Sequence, residues 1–105
     1  MRLAAAALLI ALAACGGGSS RTEGEAIFRG VGTCNVCHGA DLRGTPMGPS
    51  LLEMDVSDDA IRTAITRGVP AKRPGFGAMP ARSEMSADQI EAVITYIRSV
   101  QRSAR

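Results

Sequence analysis

The pentapeptide Cys34-Asn35-Val36-Cys37-His38 holds the side chains best suited to chemistry in this chain. Two thiols at this spacing can reach the two vinyl groups on one edge of a porphyrin and become thioethers. The adjoining imidazole then lies under the ring with a nitrogen facing the iron. C-x-x-C-H is accordingly the pattern of covalent c-type haem attachment. His38 is the single histidine of the chain, so a haem bound here takes His38 as its proximal ligand. Two other chemistries share the bare C-x-x-C, a thiol–disulfide redox pair and half of a zinc site. The redox pair expects a βαβ setting, and no alternating strand-like run flanks these cysteines. Zinc needs four ligands, and the one further cysteine is Cys15.

What faces His38 across a haem decides the reaction. A second histidine is excluded, which leaves Met47, Met54, Met79, Met85, Lys72 or an open position. Met79 is the best placed. It sits in the irregular stretch Gly77-Ala78-Met79-Pro80, where Pro80 stiffens the backbone, and it is far enough along the chain to reach the other haem face. Met47 lies in Thr45-Pro46-Met47-Gly48-Pro49, a stretch expected on the histidine side. Met85 has a helix-capping role instead, and Met54 reads as core or loop filler. A His/Met pair raises the reduction potential. With both positions filled, one-electron transfer is favoured over binding of oxygen or substrate. No catalytic residue is then required, and the protein supplies orientation and electrostatics.

The elements that must position these residues are helices. Thr22 and Glu25 are spaced as a capping box opening a first helix, which carries Ala26, Ile27 and Phe28 and weakens through Gly30 and Gly32. A second helix is expected over 58–67, capped by Ser57, with Asp58 and Asp59 in its first turn and Gly68 at its stop. The third is the clearest. Ser86 and Gln89 form a capping box, Met85 can staple onto Ile90, and Ile90, Val93, Ile94 and Ile97 follow at i, i+3, i+4 and i+7. Between them, residues 39–56 and 68–80 are too rich in Gly and Pro to sustain helix. Loops of that length in a small domain are usually functional, and here they are expected to wrap the two haem faces. The fold class is therefore all-α.

The N-terminus reads as a targeting segment. Arg2 precedes an unbroken apolar run, Leu3 to Ala14, that would rise only about 18 Å as a helix, short of a bilayer core of ~30 Å. Residues 1–14 are thus expected to be a signal peptide. Leu12-Ala13-Ala14-Cys15 resembles a bacterial lipobox, which would make Cys15 a lipidated mature N-terminus and residues 15–21 a flexible Gly/Ser tether. The domain proper is then 22–105, on the periplasmic or outer-surface side of a bacterial membrane. One of the 12 basic residues, Arg2, is lost with the signal, leaving 11 against 10 acidic. Such a balance gives no field to attract nucleic acid. The domain is near the size at which a protein core alone is marginal, and covalent haem would supply apolar bulk.

Taken together, the chain resembles a class I cytochrome c of the small bacterial, monohaem kind from about Gly24 to Val100. The matching pieces are Gly24 and Phe28, then Cys34 to Gly39, Gly48-Pro49-Ser50-Leu51, Met79-Pro80, and the helix bearing Tyr96. The resemblance implies three main helices, with Gly/Pro-rich loops around one covalent haem c. It implies that the first and last helices cross where Gly24 permits, with Phe28 near Val93 and Tyr96. It also implies that the Pro49 carbonyl accepts the His38 N–H, a contact that orients the ring. The chain departs from the family in lacking Trp, so the aromatic hydrogen bonds that often hold propionates are missing, with Arg73 or Lys72 as the substitutes to consider. The expected function is electron transfer between redox protein partners, with a membrane anchor and no small-molecule substrate. The alternatives are a haem c subunit docked on a larger dehydrogenase or oxidase, and a gas-binding or peroxidatic protein with an open sixth position.

Overall fold

The computed structural model describes residues 16–71 and 75–105. The described residues contain helices α1 (Gly16–Arg29), α2 (Cys34–His38), α3 (Asp58–Arg67) and α4 (Ala87–Ser103). They contain no strand, only isolated bridges at Thr45–Gly48 and Val69–Met79. The fold is all-α.

Its frame is the crossing of α1 and α4. Gly24 makes the crossing close. A Cβ there would lie 2.0 Å from the Ala92 carbonyl oxygen, inside any permitted contact. Beside it Phe28 meets Tyr96 edge-on, with ring centroids 5.5 Å apart at 64°, a favoured aromatic geometry. Phe28 and Val93 are fully buried, and Ile90, Ile94 and Ile97 complete the apolar stripe.

Helix α4 begins as its sequence dictates. The Ser86 hydroxyl accepts from Gln89 N at 3.1 Å, and Gln89 Oε1 accepts from Ser86 N at 2.9 Å, closing the capping box. Met85 and Ile90, the staple pair, are both buried. Helix α3 is capped by Ser57, whose hydroxyl accepts from Ala60 N at 3.0 Å. It stops at Gly68, whose φ of 79° suits a residue without Cβ. Arg62 joins α3 to α4 through Glu91, with Nη2 to Oε1 at 2.9 Å.

The start of α1 differs from the sequence expectation. Gly16, the first described residue, is already helical, so the stretch expected to be a flexible tether is helical from there, and Thr22 lies inside the helix. A capping box needs a non-helical first residue. Thr22 has none to offer, and Glu25 pairs with Arg29 instead, at 3.2 Å. Tertiary contact supports the extra turns, since Arg21 Nε donates to Ser99 Oγ on α4 at 3.1 Å. Such contacts override weak propensity at glycines, which costs about 1 kcal/mol each. The expected signal peptide (1–14), the expected lipidation site Cys15, and the propionate candidates Lys72 and Arg73 lie outside the described residues. No helix of the described residues is long and apolar enough to cross a membrane.

Candidate functional site

The short helix α2 carries Cys34, Cys37 and His38, all partly exposed. It is entered through Thr33 in the left-handed region, at φ 50°, and left through Gly39 at φ 86°. The following loop folds directly back on it. Thr45 Oγ1 donates to the Cys37 carbonyl at 2.6 Å, and a Cβ on Gly48 would sit 2.9 Å from that same oxygen. Leu42, fully buried at φ 65°, pins the loop from inside and accepts from Leu51 N at 2.8 Å. The loop so fixed places the Pro49 carbonyl 2.8 Å from His38 Nδ1. A carbonyl only accepts, so Nδ1 carries a proton, and in the neutral ring this tautomer leaves the lone pair on Nε2. Among the described residues Nε2 has no protein hydrogen bond.

Met79 is brought to the same place by a different route. It forms a bridge with Val69 in which each N–H donates to the other's carbonyl at 2.9 Å. Gly68 sits tightly under this bridge, where a Cβ would lie 2.6 Å from Met79 O. Partly buried, Met79 packs against the core.

His38, Met79, Cys34 and Pro49 line a cavity of about 250 Å³ whose remaining wall is apolar, including Phe28, Leu51, Ile61, Ile65, Val93 and Ile97. Met54 also borders it. Met47, 57% exposed, is absent from this wall but borders an adjoining cavity with His38 and Met79, and Met85 is buried in the core beneath α4. An apolar wall of this kind, directly beside the C-x-x-C-H helix, suits a large apolar group. A free imidazole nitrogen and a thioether sulfur on its wall suit that group's metal.

The competing chemistries do not fit these residues. Among the described residues no three His, Cys, Asp or Glu side chains cluster to hold a metal ion. Burial pushes the Cys34 thiol above its ordinary value, opposed by the nearby Arg82 guanidinium. A thiol–disulfide exchange centre works through a thiol whose pKa is lowered.

A family described as cytochrome c oxidase, cbb3-type, subunit III matches residues 19–97. The chain belongs to this cytochrome c family. Its cofactor is covalently bound haem c, and its role is haem c electron transfer. No curated protein and no solved structure matches the chain. Membership accounts for the apolar cavity beside the C-x-x-C-H helix, since the cavity residues fit a covalently held haem. Sequence reasoning missed the Val69–Met79 bridge, because Val69 and Met79 stand in a Gly/Pro-rich stretch with no strand pattern. It also missed Arg82, which borders an adjoining cavity that Cys34, His38 and Met79 share, and whose type marks only charge.

Proposed function

We propose that this cytochrome carries one electron at a time outside the cytoplasmic membrane of a bacterium. Cys34 and Cys37 hold haem c through thioethers, and His38 and Met79 are its axial ligands. The single observation that carries this reading is the meeting of His38 and Met79 on one apolar cavity, with the His38 Nδ1–H already committed to the Pro49 carbonyl. That hydrogen bond fixes the ring's tautomer and orientation. Held by these residues, the haem would supply one-electron chemistry at a potential raised by the thioether. The chain's own part is to exclude water with its apolar wall and to hold both donors in place. The Leu12-Ala13-Ala14-Cys15 pattern supports lipidation at Cys15 and so attachment to a membrane, with redox proteins as donor and acceptor.

Carbon monoxide tests the closed sixth position. The ferrous protein is expected to show no spectral change on mixing with the gas. A prompt carbonyl complex would turn the reading to a gas-binding or peroxidatic protein.

A second reading has its own support. The family description names an oxidase subunit, which favours a haem subunit docked on a larger complex. Purification in mild detergent separates the two, since stoichiometric recovery with one large redox protein would exclude a free shuttle.

A further inference from the structure

Arg82 follows Met79 after only Pro80 and Ala81, and it reaches in two directions. Its backbone N–H donates to the Ile65 carbonyl on α3 at 2.7 Å. Its side chain crosses to the turn just ahead of Cys34, where Nε donates to the Gly32 carbonyl at 2.9 Å and Nη2 to Thr33 Oγ1 at 2.8 Å. The Thr33 hydroxyl donates to Gly32 O at 2.7 Å, so its lone pairs remain for the guanidinium. The two oxygens therefore match the planar fork of an arginine, which a lysine cannot reproduce. Among the described residues no carboxylate pairs with Arg82. Its donors serve neutral oxygens, a use that specifies geometry more than charge.

The place of this contact gives it a role. Residues 32–34, His38, Met79 and Arg82 border one cavity. Among the described residues, the Arg82 side chain makes the hydrogen bonds that join residues 75–85 to residues 30–38. The Val69 bridge, by contrast, ties Met79 only to the start of its own loop.

We infer that Arg82 is a positioning residue, a clasp that holds the Met79 loop against the turn leading into the haem-binding cysteines. The inference rests on Met79 being the sixth ligand. With the clasp closed, the loop's excursions away from the cavity are rare, and external ligands compete poorly with the thioether.

The test uses ferric holoprotein, wild type beside Arg82→Gln and Arg82→Lys, titrated with imidazole. Loss of the sulfur-to-iron charge-transfer band reports displacement of Met79. Hydrogen bonds from a charged donor are stronger than neutral ones, so Arg82→Gln should bind imidazole roughly tenfold more tightly. Arg82→Lys should fall between, because it keeps the charge but loses the fork, and it serves if the glutamine variant folds poorly. The far-UV unfolding midpoint should move little. Unchanged imidazole affinity, or a band that is lost only along with global unfolding, would overturn the clasp. Amide exchange at Val69 and Met79 is the independent readout and should accelerate in both variants. Should wild type lack the sulfur band, the assignment of Met79 as ligand fails, and exchange still decides the clasp, with unaltered rates refuting it.

Discussion

Two regions of this molecule reach order by different means. Where α1 meets α4, side chains interlock: Gly24 lets the backbones touch, Phe28 and Tyr96 stack edge to face, and a capping box fixes where α4 begins. Where residues 68–82 carry Met79, order comes from a few hydrogen bonds: one bridge to Val69, one backbone contact from Arg82 to α3, and the Arg82 fork. The first region can fail only by unfolding the domain. The second can open while the frame stays folded, because hydrogen-bonded loops with few buried contacts open at lower free energy than packed cores. In a cytochrome the distinction has a functional meaning, since Met79, the ligand proposed above, stands on the weaker region and the histidine on a helix locked from both sides.

Substitutions sharpen that contrast. The largest effect is expected in the frame. Gly24→Ala should stabilise by about 1 kcal/mol on helix propensity alone, yet its Cβ meets the Ala92 carbonyl. A net loss of about 3 kcal/mol or more is expected in chemical denaturation, with all probes moving together. A neutral or stabilising result would mean that the helices do not cross so closely.

Next comes the loop. Gly68 holds φ 79° with ψ 177°, a region nearly reserved for glycine and costing other residues about 1–3 kcal/mol. Gly68→Ala should therefore weaken the sulfur-to-iron band before the far-UV signal changes. Coincident loss of both would erase the difference between the regions. Smaller still is Ser86→Ala, which removes the α4 cap and should cost about 1 kcal/mol of global stability with the band unaffected.

The smallest effect is electrostatic. The hydrogen bond from Arg62 holds the Glu91 carboxyl below its ordinary value. A depressed carboxylate stabilises the fold above its unfolded pKa and loses that contribution as pH falls through the folded one. Glu91→Gln should thus be slightly less stable than wild type at neutral pH and equal to it in acid. Both partners are exposed, so added salt should shrink the gap.

The frame was largely legible in the sequence because its signals are local. Ser57 and Gly68 bound α3, Ser86 and Gln89 open α4, and the isoleucine spacing names its buried face. The resemblance carried by Gly24, Phe28 and Pro49 anticipated the helix crossing and the His38–Pro49 contact. The start of α1 was misread at Thr22, since a capping-box pattern cannot reveal that the preceding glycines are already helical. Other features were invisible for a shared reason: each joins residues distant in sequence. Val69 and Met79 pair without a strand pattern, and Gln101 is buried because its amide donates to the Leu51 carbonyl at 2.8 Å. Arg82 finds its partners 50 positions away. A single chain displays its local preferences, and long-range hydrogen bonds leave no such trace.

The most direct measurement of the His38/Met79 assignment is the far-red absorption of the ferric mature domain, with Cys15 removed, beside Met79→Ala. The expected result is a sulfur-to-iron charge-transfer band in wild type that is absent from the variant, with covalent haem retained in both. A wild type without the band, or a variant that keeps it through Met54 or Met47, would contradict the assignment.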